Sequence, residues 1–594
     1  MWARRYFSKG WFPCLFLAVV TLLVWGRTIR YDFVWDDYVF IVKNPNIRSL
    51  KEVPAMFYSL KTQSIVPDEA RIFRPLRTAQ YAVLCALEGK QAPRPWLFHL
   101  ANLLWHAAAA MLLFSVALLL YQRQAGEVAN FARAMALLVA TAFAIHPVTS
   151  EVVCWAKSLD DTMAAVFVLA ATLALLKWKE DNRSIWASLG CFVLAVYSKE
   201  SAVPFALFAF FVFLGLHRLS WRRSAKLSLG FFVVALAYTI HRHLVIGQST
   251  QSAPLSGSYG QTLVDMLPVA GKYFRLLWGL PPFCIDYSYM TGQNPPVSWS
   301  VLSGAALLVL CVGLGTWLWR KRDLAVFGLL WLGLFFLPVS NLVPMMQYMA
   351  ERFLYLPLIG FLLMLGALLL KSRRPLPALA LSSVLLVVWG SASWNRMEIW
   401  QDELTLFTRS WVEGPRSSRM EKNAVIAIFR LPHVRQLFPI DPEKETMSQN
   451  SAISRDDAAP ALQTLTEAHR LFPTNEVVAS ALGLTRAAMG QFPEAIELLA
   501  WAVHRNPGSA QYQVNLGTVL AENNQNMEAR EVFDAALRLE PANANALRGC
   551  IRLAWKTEDF QTALRCARRL QQLEPQNGQN MLLVREIERK ISTR

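Results

Sequence analysis

The stretch WFPCLFLAVVTLLVWG, residues 11–26, holds no charged side chain and follows Arg4, Arg5 and Lys9. No small-x-small cleavage pattern comes after it, so it reads as an uncleaved first membrane helix rather than a removable signal. Further apolar runs follow at about 96–120, 131–146, 161–177, 184–198, 201–216, 227–245, 299–319, 324–340, 353–370 and 376–394. With 594 residues, 54% of them hydrophobic, and a mean hydropathy of +0.29, the chain reads as inserted in a bilayer. The expectation is about eleven transmembrane helices, an odd count that puts the termini on opposite sides. Residues 263–283 are apolar but interrupted by Pro268, Lys272, Arg275 and Pro281, and read as an outer-surface or re-entrant helix.

The net charge of +17 does not mark a nucleic-acid binder, because the basic residues sit in short clusters between apolar runs and not on one amphipathic face. They carry topology. One set of alternate loops holds Arg4, Arg5 and Lys9; Arg123 and Arg133; Lys177, Lys179 and Arg183; Arg218, Arg222, Arg223 and Lys226; Arg320, Lys321 and Arg322; and Lys371, Arg373 and Arg374. The short loops of the other set hold fewer, such as Lys157, Lys199 and Arg352. The basic set stays in the cytoplasm. The N-terminus is therefore expected inside, with the long first loop 29–95 and the C-terminal region outside. Six of the eight cysteines are scattered through the membrane region without metal-ligand spacing. Cys550 and Cys566 fall on the two helices of one repeat, either as small core residues or as a disulfide.

Beyond residue 395 the composition turns polar. Pro473, Pro507, Pro541 and Pro575 recur every 34 residues, as do Ala461, Ala495, Ala529 and Ala563, which is the tetratricopeptide period. Three repeats over about 476–577 are expected, after a half-repeat at 455–475 and before a capping helix near 578–592. The expected division is 1–394 membrane domain, 395–454 connecting helical region and 455–594 repeats. Such arrays bind peptides or partner proteins; the other reading is a spacer or dimerisation module.

Chemistry is sought at the outward mouths of the spans. Asp36 and Asp37, in YDFVWDD directly after the first span, are adjacent carboxylates that repel. Holding them together is worthwhile with a metal, a proton to move or a cationic substrate; a solvated turn is the alternative. The next outward loop adds His146, Glu151, Lys157, Asp160 and Asp161. An ionisable residue at the centre of a membrane helix costs roughly 2.5–3.5 kcal/mol and is usually kept for function. Lys199 and Glu200 sit at a membrane edge, where a local ion pair is the plain reading. Glu351 and Arg352 open the tenth run, where arginine suits either bidentate capture of phosphate or lipid anchoring.

The ordered segments FVWDDYVFIVKNP (33–45), FRPL (73–76), HLANLLWH (99–106), IHPVTSE (145–151), Lys199-Glu200 and AERFLYLP (350–357) resemble the transmembrane and tetratricopeptide-repeat O-mannosyltransferases and their bacterial relatives. The resemblance implies an all-α, GT-C-like membrane domain followed by a tetratricopeptide α-solenoid. It implies a glycosyltransferase moving a sugar from a polyprenyl-phosphate donor to a hydroxyl acceptor with inversion. By that analogy Asp36 and Asp37 are catalytic, Arg352 with Lys199 neutralises the departing phosphate, and His146, Glu151, Glu200 and Glu351 support them. Asp160 and Asp161, with Asp36, would hold a divalent cation, Mg or Mn. The expected partners are the lipid-linked sugar, a protein acceptor brought by the repeats, and membrane lipids. The sequon Asn182 to Ser184 falls in a cytoplasmic loop, which favours a bacterial inner membrane with a periplasmic repeat domain. Transfer to a lipid or glycan acceptor, a repeat scaffold without chemistry and a transporter remain as other readings; the last lacks paired broken spans.

Overall fold

The computed structural model describes residues 11–66, 71–89, 92–125, 129–247, 254–287, 298–345, 347–372, 375–414, 417–441, 446–447 and 453–593. Arg4, Arg5, Lys9, Arg373 and Arg374 of the topology count lie outside them. The chain divides into two units, Met1–Met420 and Glu421–Arg594. Apart from a two-residue antiparallel pairing of Ile440–Asp441 with Thr446–Met447, the described residues are helical or irregular.

The first unit runs α1 (Trp11–Trp25), α2 (Pro75–Glu88), α3 (Pro95–Ala125), α4 (Ala129–Ile145), α5 (Ser150–Cys154), α6 (Leu159–Lys177), α7 (Asn182–Ser198), α8 (Phe205–Phe211), α9 (Trp221–Ile246), α10 (Tyr259–Leu277), α11 (Trp299–Arg320), α12 (Ala325–Phe336), α13 (Tyr355–Leu369) and α14 (Pro375–Met397), then α15 (Glu403–Glu413). Among the described residues seven helices are long and apolar enough to cross a bilayer, or eight if the bent pair 130–145 and 147–154 is one span. The expected count of about eleven is not reached on that measure. The other four expected runs are helical but bent or short: the third ends at Ile145 and bends by 45° into 147–154, and α7, the 200–216 segment and the 325–339 segment fall below spanning length. The 263–283 run contains the Pro-interrupted α10 and is not among the long apolar helices.

The core is centred on α3, α4, α6, α12 and α13, with buried residues of α7, α8, α9 and α10 packed into it. A Cβ on Gly328 would lie 2.4 Å from the Met364 amide nitrogen, and one on Gly360 2.4 Å from that of Leu332. Glycine therefore lets α12 and α13 touch backbone to backbone, the usual membrane solution where packing replaces the hydrophobic drive. Ion pairs sort the connecting loops into two ends. Arg223 meets Glu180 at 2.9 Å and Lys371 meets Asp323 in the loops read as cytoplasmic. Lys157 meets Asp36 at 2.9 Å and Arg352 meets Glu151 in the loops of the other set.

The first unit ends at Met420 and not at residue 394. The Asp32 N–H donates to the Gln401 carbonyl at 2.9 Å, and Phe407 on α15 packs edge-on against Trp35 at 5.8 Å. Polar composition marks residues 395–420 as leaving the membrane, yet they bury aromatic surface on the first loop.

The second unit continues from α16 (Ser418–Phe429), which straddles the division, through α17 (Pro432–Arg435) to α18 (Arg455–Leu471). Three antiparallel pairs follow: α19 (Glu476–Ala488) with α20 (Phe492–Arg505), α21 (Ala510–Glu522) with α22 (Asn526–Leu539), and α23 (Ala544–Lys556) with α24 (Phe560–Leu573). The unit closes with α25 (Gly578–Ser592). The recurring alanines 461, 495, 529 and 563 are all fully buried, where two helices have room for one methyl group. Cys550 and Cys566 are buried free thiols of the third pair's core.

Candidate active site

After α1 the chain makes a short 3-10 turn, Gly26–Arg30, and then reverses at Trp35, whose φ of 55° is left-handed. That conformation is costly for a bulky residue. Aromatic contact holds it: Trp35 stacks on Trp155 with centroids 5.2 Å apart and planes 14° apart. The reversal sends the next two carboxylates in different directions. Asp37 is fully buried; its Oδ2 accepts the Val34 N–H at 2.9 Å and its Oδ1 accepts the Lys157 N–H at 2.8 Å. It ties the first loop to the segment after α5. Burial pushes its carboxyl up to about 8, so at neutral pH it holds its proton most of the time. Asp36 keeps 32% of its side chain exposed and meets the Lys157 ammonium at 2.9 Å. Burial works to raise its pKa, but the charge of Lys157, its hydrogen bond, and the more distant Arg352 and Arg419 hold it below the usual carboxylate value. One proton and one ammonium thus relieve the repulsion between the pair.

Trp155 organises the rest. The Lys157 ammonium lies 4.4 Å from its ring centroid and the Arg352 guanidinium 5.7 Å, distances at which a cation is attracted to the ring. The Arg352 N–H donates to Glu151 Oε2 at 2.8 Å, its Nη1 bridges to Glu151 Oε1, and its Nη2 donates to Gln347 at 2.6 Å. These bonds use two of the five side-chain N–H groups of the guanidinium. Asp36, Lys157 and Arg352 therefore surround one tryptophan pair, with Arg419 5.2 Å above the Trp35 ring. Glu351 faces elsewhere: it accepts from Arg396 at 2.5 Å, the Cys284 N–H at 2.6 Å and the Tyr287 hydroxyl at 3.0 Å. His146 is buried; its Nδ1 accepts the Val148 N–H at 3.3 Å and its Nε2 lies 3.2 Å from the Leu277 carbonyl. It braces the break between α4 and α5.

Asp160 and Asp161, in the first turn of α6, form a second cluster. Asp160 pairs with Arg74 at 2.5 Å and lies 3.7 Å from Arg77 and 3.8 Å from Lys199. Asp161 pairs with Lys199. Glu200 accepts Arg74 through both oxygens, at 3.0 and 2.5 Å. Lys199 is thus taken up by this cluster and is not a partner of Arg352. Among the described residues no three His, Cys, Asp or Glu side chains form a metal-sized group. Asp36, Asp160 and Asp161, the carboxylates expected to bind Mg or Mn, each face lysine or arginine instead. That donor set does not fit a divalent cation, since every carboxylate is already neutralised.

The sequence does not single out Arg74, Arg77, Arg396 or Arg419. Arg74 stands in the quoted FRPL segment, and the proline after it was a usable signal, because it begins α2 and leaves the preceding side chain free to reach α6.

A family model described as Tetratricopeptide repeat matches residues 480–544 and 515–578. Protein O-mannosyl-transferase TMTC4 of Mus musculus is 24% identical over 472 residues, covering 69% of this chain and 63% of the relative. Protein O-mannosyl-transferase TMTC3 of the same organism is 23% identical over 602 residues, covering 89% and 64%. Protein O-mannosyl-transferase F38B6.6 of Caenorhabditis elegans is 23% identical over 437 residues, covering 70% and 60%. The chain spans less than two thirds of the length of these curated relatives. Through both its membrane helices and its repeats, it is similar to the transmembrane and tetratricopeptide-repeat protein O-mannosyl-transferases.

Proposed function

We propose that this chain is a membrane glycosyltransferase that moves a sugar from a polyprenyl-phosphate-linked donor to a serine or threonine hydroxyl of a protein brought by the repeats. The observation that carries the reading is the half-exposed, ionised Asp36 carboxylate set beside Lys157, Arg352 and the Trp35–Trp155 stack. The acceptor hydroxyl attacks the anomeric carbon from the face opposite the phosphate. As the new C–O bond forms, the old one breaks and its electron pair leaves with the phosphate. Asp36 takes the hydroxyl proton. A low-pKa base suffices because the hydroxyl turns acidic as it bonds to an oxocarbenium-like carbon, and the outcome is inversion.

Arg352 receives the departing phosphate. Lys157, rather than Lys199, is its second cation, because Lys157 shares the Trp155 ring with Arg352, whereas Lys199 lies in the cluster with Asp160 and Asp161. Asp37 is a positioning residue that fixes both Asp36 and Lys157. The Asp160, Asp161, Glu200, Arg74 and Lys199 cluster, with Glu151, Glu351 and His146, builds the walls. No step runs through a metal. The chemistry belongs on the extracytoplasmic face of a bacterial inner membrane with the N-terminus inside, in keeping with the basic loops and the sequon at the start of α7.

The test is a glycoproteomic and intact-mass comparison of a deletion strain with its parent, complemented by the unaltered chain or by Asp36→Asn. Loss of a hexose from specific proteins in the deletion, restored only by the unaltered chain, is expected. Glycosylation that persists in the deletion, or is restored by Asp36→Asn, refutes the reading.

A further inference from the structure

We propose that the third repeat carries a binding site for an extended acidic segment of the acceptor protein, centred on Arg552. The site lies on α23. Arg548, Arg552 and Lys556 recur every four residues and share one face, and all three are exposed. The opposite face, with Leu547, Cys550, Ile551 and Ala554, is buried in the core of the third pair.

Folding alone does not favour this stripe, because like charges four residues apart on a helix repel. Nor does the repeat require it. The residues 34 positions earlier are Val514, Thr518 and Glu522, and those 68 earlier are Ser480, Leu484 and Ala488. Features that serve packing recur, such as the buried alanines; these cations occur in one repeat. The outer two are partly engaged: Arg548 meets Glu574 at 2.6 Å, and Lys556 donates to the Ala521 carbonyl at 2.7 Å and to Asn524 at 2.8 Å. Arg552 has no ion pair or hydrogen bond among the described residues. The half-buried Trp555, held edge-on by Phe560 at 5.6 Å, adds an aromatic surface on the same helix.

Spacing favours a polypeptide. Four helical residues rise about 6 Å, and alternate residues of an extended chain lie about 7 Å apart on one side. Three carboxylates at every second position of a strand-like segment therefore match the three cations. This inference rests on the reading that the repeats receive the acceptor, but the binding it calls for needs no sugar transfer, so the two fail separately.

The experiment measures fluorescence anisotropy of a labelled peptide with glutamate at three alternate positions, titrated with the full-length chain in neutral detergent micelles. Its glutamine counterpart, a single-stranded oligonucleotide and anionic-lipid vesicles serve as competitors. The acidic peptide is expected to bind and its glutamine counterpart not. Arg552→Gln should weaken binding about tenfold, the worth of one charge-assisted contact, and Arg552→Glu should abolish it. Asp36→Asn should bind as the unaltered chain does. Binding that is insensitive to Arg552→Glu overturns the proposal. So does equal or better competition by the oligonucleotide or the vesicles, which would make the stripe a general polyanion or lipid contact.

Discussion

Adjacent aspartates with opposite electrostatic settings should respond to amide substitution with opposite pH signatures. Asp37 has its pKa raised to about 8 by burial, above the unfolded value near 3.9. Its native form binds a proton that the unfolded chain has released, so its contribution to stability is complete below about pH 4 and is lost as pH rises toward 8. Each unit of that window is worth at most about 1.4 kcal/mol. Asp37→Asn removes the titration. It also sets an amide N–H₂ against one of two backbone N–H groups that now find a carboxyl oxygen at 2.9 and 2.8 Å, at a cost of about 1–3 kcal/mol for the unsatisfied group. The variant should therefore unfold below the unaltered chain at pH 5, and the gap should close or reverse by pH 8.5. Asp36, held low by Lys157, contributes stability that is present above the unfolded value and lost only as pH falls below it. Asp36→Asn should accordingly shift the midpoint by an amount constant between pH 5 and 8.5, while lowering transfer on the order of 10²–10⁴-fold. Asp37→Asn, when folded, should keep transfer within about tenfold. The assay is thermal unfolding of the full-length chain in detergent at four pH values, alongside transfer to a peptide acceptor. A pH-independent gap for Asp37→Asn, or equal loss of transfer in both folded variants, would show that the two carboxylates share one role and refute the reasoning.

Lys157→Met deprives Asp36 of its counter-ion, so the acid limb of the transfer profile should move to higher pH; a limb that stays in place detaches Lys157 from the base. Because the carboxylates are already neutralised by arginine and lysine, EDTA should leave transfer unchanged, and restoration by Mg or Mn after chelation would contradict that. Gly549→Ala places a methyl group 2.4 Å from the Phe533 ring, which should destabilise the repeat unit by about 1–3 kcal/mol, read as a lower unfolding midpoint with transfer to a small soluble acceptor intact. Deleting residues 455–594 should weaken transfer to a protein acceptor yet spare transfer to water or a small alcohol, and unchanged protein modification would remove the repeats from acceptor binding.

What the sequence discloses follows from how local each signal is. Apolar runs and a 34-residue period are properties of consecutive residues, so the helices and the repeat pairs could be read directly. Span length is less secure, because a run of hydrophobic residues does not say that α4 will bend into the short helix after it or that α8 will stop short. The ion pairs were not legible at all: Asp36 finds Lys157 across 121 positions and Arg74 finds Glu200 across 126. That distance is also why Lys199 looked as suitable for the phosphate as Lys157 does. Both are lysines in outward loops, and only the fold shows that Lys157 lies beside Trp155 with Arg352 while Lys199 lies with Asp160 and Asp161. The DD pair is the sharpest case. Residue type gives two equivalent carboxylates, but a left-handed tryptophan stacked on Trp155 leaves one partly exposed beside Lys157 and turns the other onto backbone amides. The burial that follows protonates the second. A sequence can therefore name the pair, while the assignment of base and brace comes from the turn that separates them, and the turn in turn depends on Trp155, 120 residues further on.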